Sequence, residues 1–516
     1  RAGEEFAYGF MIRLRIPGGD VHPALWLALD DLAQRFGRGS LRLTTRQSIQ
    51  LHFIAKADLR SVIRTVNEHL ASTLGACGDV NRNVMAAPLP VADSRYQTVR
   101  AAARALSDHL LPRTRAYAEL WLDGAEVARV GPDDGRPLEE EPLYGRTYLP
   151  RKFKSCVTVA GDNSVDLFTH DLGLTGIFES EELLGWNVYV GGGLGRTHRK
   201  PETFPRLADA LGFVGPAEFL RAAMGIVTVQ RDHGDRTNRR HARLKYLIAD
   251  RGIDWFRGQV EQAVGLHFER ARPIAWTRSD DRLGWHEQGD GRWFHGLRVP
   301  SGRVRDEAVA ATRGALRLIA ERIGVQFRVT PNQNIYLVDV EAGQRQAVES
   351  VLVAHGLAQA HAVGGLRRLA MACPALPTCG LAVTEAERAL PAVLASLQAV
   401  FDDLGLGDAT PTVRMTGCPN GCARPYVAEI GLVGDAVDRY QVWLGGDAAG
   451  TRLAAAVAER VHRDDLPSLL RPVLERYRAE RVDGEALGDF VTRAGITRLE
   501  YTASRRTRGV PEEATA

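Results

Sequence analysis

The chain has 516 residues, of which 45% are apolar and 25% are charged, and its formal net charge is +3. This composition is typical of a globular protein with enough apolar residues for several cores, so two to four domains are expected. The nearly balanced charge argues against a nucleic-acid partner, and no apolar run approaches the roughly 18 residues that a membrane span requires. The first residues, RAGEEFAYGF, lack a signal-peptide profile, so we expect a cytoplasmic protein without membrane or nucleic-acid partners.

Two stretches near the start of the chain recur in its second half. RLRIPGGDV (residues 13–21) resembles GLRVPSGRV (296–304), and LRLTTRQSIQL (41–51) resembles FRVTPNQNIYL (327–337). Each copy alternates apolar and polar residues where a strand is expected and carries helical periodicity in between, as in HPALWLALDDLAQRF. A second helix, such as RQAVESVLVAHG, follows. The pattern predicts a ferredoxin-like α+β half-unit in each copy.

A weaker repeat follows each half-unit. WNVYVGGGLGRTH (186–198) resembles YQVWLGGDAAGTR (440–452), and in both an alternating apolar strand runs into Gly-Gly. The predicted organisation is therefore an internally duplicated α+β chain in the order A–B–A′–B′. Its predicted boundaries are residues 1–90 for half-unit A, 91–275 for lobe B, 276–362 for half-unit A′ and 363–516 for lobe B′.

Basic residues cluster beside predicted strands in the first half of the chain. They are Arg46 in LTTRQ, Arg113 and Arg115 in PRTRAY, and Lys152 and Lys154 in PRKFK. Lys152 and Lys154 are one residue apart, so on a strand their side chains share one side. On pattern alone these residues are more typical of a solvated surface, where most arginines and lysines lie.

Four of the six cysteines lie in the last third of the chain, whereas Cys77 and Cys156 stand alone and are expected to be small buried side chains. The four form two pairs, Cys373 with Cys379 (C-x5-C) and Cys418 with Cys422 (C-x3-C), separated by a predicted helix in EAERALPAVLASLQAVFDDLG. Disulfide frameworks belong to short secreted domains, and structural zinc sites favour C-x2-C turns. A cubane iron–sulfur cluster tolerates wider spacings, so the pattern favours a cluster and leaves zinc as an alternative.

The cysteine motifs carry a specific family resemblance. TGCPNGCARPYVAEIGL (416–432) and MACPALPTCGLAVTEAER (371–388) are similar to the signature of the sulfite and nitrite reductases that couple sirohaem to a [4Fe–4S] cluster. The likeness extends through LTTRQSIQLH, VNRNV, LLPRTRAYAEL, YLPRKFK, LGWHEQGDG and TPNQNI. It implies that Cys373, Cys379, Cys418 and Cys422 ligate the cluster, and that Cys422 also bridges to the sirohaem iron.

The resemblance also assigns roles to polar residues elsewhere in the chain. It implies that Arg46, Arg115, Lys152 and Lys154 form the pocket that holds the substrate oxyanion. The two lysines are the expected proton donors, because the pKa of a lysine falls when other cations crowd it. Arg82 and Arg243, with Arg239 as a further candidate, are expected to bind the sirohaem carboxylates, and Asn332, Gln333 and Asn334 in TPNQNI are expected to contact the cofactor.

The sequence predicts an assimilatory sulfite reductase, an oxidoreductase that reduces sulfite to sulfide with six electrons. A nitrite reductase is the nearest alternative, and a non-redox, zinc-stabilised anion-binding protein is a distant one. Both lysines of YLPRKFK and the motifs LGWHEQGDG and TPNQNI favour sulfite. No convincing flavin or nicotinamide site is visible in the sequence, so the expected electron donor is a separate protein, either ferredoxin or a flavoprotein reductase.

Overall fold

A computed structural model describes residues 9–113, 118–122, 125–130, 141–277, 279–358 and 362–502. The chain divides into two compact units: the first holds Arg1–Val363 with Ala449–Thr451, and the second holds Gly364–Ala448 and Arg452–Ala516. Within the described ranges no helix is both long and apolar enough to cross a membrane.

The first unit is a mixture of mainly short strands and amphipathic helices. Its strands are β1 Phe10–Arg13, β2 Asp20–Val21, β3 Leu41–Leu43, β4 Ile49–Ile54, β5 Met85–Ala86, β6 Ala118–Leu122, β7 Ala125–Val130, β8 Ser155–Val159, β9 Leu172–Glu179, β10 Glu182–Val190, β11 Asp209–Val214, β12 Gly284–Glu287, β13 Trp293–Leu297, β14 Arg303–Val304, β15 Gln326–Val329 and β16 Ile335–Val340. Its helices are α1 Pro23–Phe36, α2 Leu59–Glu68, α3 Ser94–His109, α4 Phe219–His233, α5 Leu244–Arg251, α6 Ile253–Val264, α7 Thr312–Leu318 and α8 Arg345–Ala354.

The second unit has five strands and three helices among its described residues. The strands are β17 Met371–Ala372, β18 Val413–Thr416, β19 Ile430–Ala436, β20 Arg439–Leu444 and β21 Ala455–His462. The helices are α9 Leu390–Asp403, α10 Leu466–Glu480 and α11 Leu487–Arg493. Helix α9 begins at Leu390, five residues later than the predicted helix, with Pro391 in its first turn, where a proline needs no hydrogen-bond donor.

The two predicted half-units share one core. They form the sheets β1-β4-β3-β14 and β12-β13-β16-β15-β2, so each half-unit contributes one short strand to the sheet of the other. Their buried side chains form a single cluster that runs from Ile12 to Leu357. The duplicated ferredoxin-like architecture is thus confirmed, and strand exchange accounts for the shared core. The division into four segments remains a prediction.

Two repeat-related glycines allow this strand exchange. Gly19 has φ +81°, and a Cβ there would lie 2.4 Å from the carbonyl oxygen of Val329. Gly302 has φ +70°, and its Cβ would lie 2.2 Å from the carbonyl oxygen of Leu43. Only glycine fits a left-handed backbone at such a close approach. The two positions at which a strand passes into the sheet of the other half-unit are therefore equivalent in the duplicated chain.

The two lobes contain sheets with the same strand order. Lobe sheet 1 is β11-β10-β9-β8-β5, and lobe sheet 2 is β21-β20-β19-β18-β17. In each, three parallel strands (β5, β8 and β9, or β17, β18 and β19) are extended by two antiparallel ones. All five residues of β8 are buried, as expected for an inner parallel strand. The predicted relation between B and B′ therefore extends to the whole sheet.

Candidate active site and cluster-binding loops

The PRKFK segment leads directly into the inner strand β8. Its Phe153 is buried, and its main chain pairs with the VNRNV segment: Phe153 N donates to Val80 O at 3.1 Å, and Arg82 N donates to Phe153 O at 2.8 Å. Lys152 and Lys154 lie on either side of Phe153, and Lys154 is the residue directly before β8. Neither lysine belongs to a regular strand. Phe153 between them is buried, and Lys152 is close enough to Lys154 to lower its pKa, so the two lysines are near each other.

Arg46 reaches the same place from the turn between β3 and β4. Its Nη2 atom donates to the carbonyl oxygens of Asn83 and, at 3.4 Å, of Ser155, the first residue of β8. Within the described part of the chain, its Nε and Nη1 atoms are buried without a hydrogen-bond partner. Burial lowers the pKa of Arg46 to about 9. A guanidinium with two buried donors left over is suited to bind an oxyanion or a carboxylate.

Lys154 is held against a buried ion pair. Its main-chain N donates to Asp171 Oδ2 at 2.9 Å, and Arg243 Nη2 donates to the same oxygen at 2.7 Å. Burial, with smaller contributions from Arg243, Lys152 and Arg46, holds the pKa of Lys154 well below its usual range. Among the described residues, Lys154 Nζ makes no hydrogen bond and no ion pair, so a bound anion can take that place.

Arg82 contributes a further cation from the VNRNV segment. Its side chain donates to the carbonyl oxygens of Gly78 at 2.7 Å and Ala76 at 3.1 Å, and burial lowers its pKa. We call Arg46, Arg82, Lys152, Lys154 and Arg243 the cation pocket. The structure thus brings together five of the predicted anion-binding and cofactor-binding residues.

Other predicted residues lie elsewhere or outside the description. Arg115 falls in a stretch that lies outside the described residues, and Arg239 pairs with Asp79 at 2.7 Å. The TPNQNI turn, between β15 and β16, uses its amides inside the fold: Asn332 Nδ2 and Asn334 Nδ2 donate to Asp281 at 3.2 and 2.7 Å. Contact of Asn332, Gln333 and Asn334 with a cofactor remains a prediction.

The four clustered cysteines lie on two loops of the second unit. Cys373 directly follows β17 and Cys418 lies two residues beyond β18, so both leave the carboxyl ends of adjacent parallel strands. Gly417 joins the loops, because its N–H donates to Cys373 Sγ at 3.4 Å and its carbonyl oxygen accepts from Val383 N at 2.8 Å. Val383 lies four residues beyond Cys379, so hydrogen bonds to Gly417 connect both cysteine motifs.

The state of these thiols fits an iron–sulfur cluster. All four are free of disulfides. Burial raises the pKa of Cys418, and the proximity of Cys422 and Cys379 raises it further. The Cys418 thiol therefore becomes a thiolate readily only when a cation shares it. Across the described ranges, no group of three or more His, Cys, Asp or Glu side chains is spaced to hold a single metal ion. The donor set of four thiols on two linked loops fits a cubane.

Two buried residues of the first unit were not predicted from the sequence. Asp171 holds Lys154 and Arg243 together, and Lys245 Nζ donates to the carbonyl oxygens of Gly193 and Gly195 at 3.0 and 2.8 Å. A signal for Asp171 was present: HDLGL at 170–174 matches AEIGL at 428–432, with an acidic residue in the same place. No comparable signal exists for Lys245.

Comparison with known families covers most of the chain. A family model described as "Nitrite and sulphite reductase 4Fe-4S domain" matches residues 101–268. A second, "Nitrite/Sulfite reductase ferredoxin-like half domain", matches residues 5–69 and 286–355, which overlap the two predicted half-units.

Individual proteins are similar over nearly the full length. The chain is 50% identical over 510 residues to "Sulfite reductase [ferredoxin]" of Synechococcus elongatus, covering 96% of this chain and 82% of the relative. It is 48% identical to "Sulfite reductase [NADPH] hemoprotein beta-component" of Myxococcus xanthus, covering 95% and 85%. The solved structure of Mycobacterium tuberculosis NirA protein superposes with a TM-score of 0.75 at 26% identity, covering 94% of this chain and 84% of that one.

Proposed function

Because this chain belongs to the nitrite and sulfite reductase family, we infer that it is a sulfite reductase that reduces sulfite to sulfide with six electrons. Its cofactors are sirohaem and a [4Fe–4S] cluster, as the sequence motifs predicted, and the zinc-stabilised binding protein is excluded. When bound, the cofactor pair supplies electrons one at a time to the substrate sulfur. The protein supplies the binding site, the protons and the ligands.

Sulfite is favoured over nitrite by the relatives. Proteins named sulfite reductase are 43 to 50% identical to this chain over at least 95% of its length. The cation pocket suits such a substrate, because sulfite carries one to two negative charges near neutral pH. One charge pair about 4 Å apart contributes on the order of 4 kcal/mol at an effective dielectric constant near 20, before desolvation is subtracted. Several cations together can therefore hold a small anion against water.

We assign distinct roles within the cation pocket. Arg46 grips an anionic oxygen with its two unused buried donors. Lys154 donates protons to the oxygens that leave as water, since its lowered pKa lets it give up a proton and regain one from solvent. Lys152 acts beside Lys154, and Arg115 completes the set. Arg82 and Arg243 would hold carboxylates of the sirohaem. The observation that carries this assignment is the buried, partnerless half of the Arg46 guanidinium.

In the second unit, Cys373, Cys379, Cys418 and Cys422 would hold the cluster, and Cys422 would also serve the sirohaem. Cys422 is the exposed member of the set, whereas Cys373 and Cys418 are buried. The exposure of Cys422 supports its assignment to the second role.

The function is tested by spectrum and turnover of the purified protein. We expect a Soret band, iron and acid-labile sulfide, and a kcat/KM for sulfite at least tenfold above that for nitrite, which corresponds to about 1.4 kcal/mol of transition-state discrimination. A colourless protein would contradict the cofactors. A preference for nitrite would contradict the substrate while leaving the family unchanged.

The electron donor is proposed to be a ferredoxin-type carrier, with a flavoprotein reductase as the second candidate. Relatives named for ferredoxin and for NADPH are almost equally similar, at 50% and 48% identity. Transient redox contacts are small and depend on charge, so we expect ferredoxin-driven turnover to fall several-fold as salt rises from about 0.1 M to about 1 M. Turnover driven by reduced methyl viologen, which needs no docking, should change much less. Sulfite reduction by NADPH with this chain alone would contradict the proposal.

A further inference from the structure

One buried carboxylate lies behind the cation pocket and binds two of its members. Asp171 is fully buried, and its Oδ2 atom accepts from Lys154 N at 2.9 Å and from Arg243 Nη2 at 2.7 Å. Its Oδ1 atom accepts from Arg243 Nε at 3.1 Å, which makes the guanidinium contact bidentate. A single side chain therefore fixes both the main chain of Lys154 and the orientation of Arg243.

The same carboxylate opposes the crowding of positive charge. Lys154 faces Lys152 on its own segment, Arg46 from the β3–β4 turn and Arg243 from the residue before α5, and each of these cations lowers its pKa. The charge of Asp171 raises the pKa of Lys154, and it acts in the same direction on Arg46 and Lys245. Removing this charge would leave several buried cations facing one another.

Lobe sheet 2 provides an internal control for this role. Glu429 directly precedes β19, as Asp171 directly precedes β9, and its Oε2 atom accepts from Thr412 N at 2.8 Å, as Asp171 accepts from Lys154 N. Its other oxygen accepts from Gly488 N at 3.2 Å, and its remaining contact is the Thr412 hydroxyl at 3.4 Å. Among the described residues Glu429 has no cationic partner, so the main-chain contact is common to both lobes and the ion pair belongs to lobe sheet 1.

We propose that Asp171 is a positioning residue of the cation pocket, which orients Lys154 and Arg243 and keeps the Lys154 ammonium charged for sulfite binding and proton delivery. This inference rests on the proposed function of the pocket. Asp171 and Glu429 both bind a main-chain N–H group. In the proposal, Asp171 also has an electrostatic role, which Glu429 lacks.

The variant Asp171→Asn separates the two roles. An asparagine oxygen can still accept from Lys154 N, so the main-chain contact survives while the negative charge is lost. The sign follows from linkage: without the carboxylate Lys154 loses its proton at a lower pH than in the wild type. The alkaline limb of the pH profile of kcat/KM for sulfite should therefore move to lower pH.

The experiment uses the holoenzyme with reduced methyl viologen, so that donor docking plays no part. A displacement of about one pH unit would lower kcat/KM about tenfold on the alkaline side while leaving the acid side within about twofold of wild type. Sulfite affinity of the oxidised enzyme, titrated by absorption over the same pH range, should weaken in parallel. Ionisation of sulfite itself affects every variant equally.

Two control variants make the result of this experiment decisive. Glu429→Gln should leave the alkaline limb in place, and Asp171→Glu, which retains the charge, should restore it. A uniform rate loss at all pH values in Asp171→Asn, or an equal displacement in Glu429→Gln, would overturn the proposal. If Asp171→Asn does not incorporate sirohaem, Asp171→Glu decides alone: a displaced limb despite the retained charge overturns the inference. Failure of the wild type to reduce sulfite would instead refute the proposed function.

Discussion

Lobe sheets 1 and 2 have the same strand order and direction, but they carry different functional side chains next to their parallel strands. Where β5 is followed by Ala87, β17 is followed by Cys373, and where Ala160 directly follows β8, Cys418 stands at the corresponding place beyond β18. Conversely, Lys154 before β8 corresponds to Thr412 before β18. Duplication therefore supplied one scaffold twice. Positions at the carboxyl ends of parallel strands carry the proposed cluster ligands in lobe sheet 2, whereas the position directly before β8 carries a proposed anion-binding lysine in lobe sheet 1.

The largest expected effect comes from making lobe sheet 2 resemble lobe sheet 1. Cys418→Ala introduces the residue found at position 160, and we expect loss of the cluster and of sulfite reduction, because a cubane needs its four thiolates. Cys422→Ser should lose both the cluster and its coupling to sirohaem. Iron and acid-labile sulfide analysis measures this directly.

The matched control is Cys77→Ser, since Cys77 lies in the first unit and, contrary to the prediction of burial, is exposed, whereas Cys156 is buried as predicted. It should retain full iron, sulfide and turnover. Four irons and normal activity in Cys418→Ala, or cluster loss in Cys77→Ser, would contradict the ligand set.

The reverse exchange tests the cation pocket. Lys154→Thr places the residue of position 412 before β8, and the main-chain contact with Asp171 needs no lysine side chain. We expect kcat to fall about 10- to 100-fold, because general-acid contributions are typically of order 10²–10⁴ and Lys152 remains. KM for sulfite should rise as well, while the Soret band is retained.

An exposed lysine provides the comparison for this variant. Lys56→Thr changes the same side chain outside the pocket, and its kinetics should match the wild type. Turnover of Lys154→Thr at saturating sulfite equal to that of Lys56→Thr would remove Lys154 from the catalytic set.

The features of the fold and the site that could be predicted from the sequence are those whose signal lies within a short stretch of the chain. The cysteine loops were predicted because four rare residues stand in two short motifs, and the duplication was predicted because glycines and alternating strands recur. Strand exchange was not, since β2 and β14 are two residues long and their partners lie far along the chain. The match of HDLGL with AEIGL marks the position of Asp171, but it does not show the role of this residue, because its partner Arg243 is 72 residues away. Long-range pairing of polar side chains leaves no trace in local pattern.

The smallest expected effect concerns Glu429, the counterpart of Asp171. Burial raises the pKa of Glu429 above its ordinary 4.5, and its partners are main-chain N–H groups and one hydroxyl. The folded protein therefore holds this proton more tightly than the unfolded chain, so raising the pH above 4.5 destabilises the folded wild type as the buried group ionises. Glutamine cannot ionise, so Tm of Glu429→Gln relative to wild type should rise between pH 4.5 and pH 7, with turnover within about twofold. The opposite trend in Tm would mean that the fold stabilises the ionised carboxylate of Glu429, and the contrast between the two lobes would no longer hold.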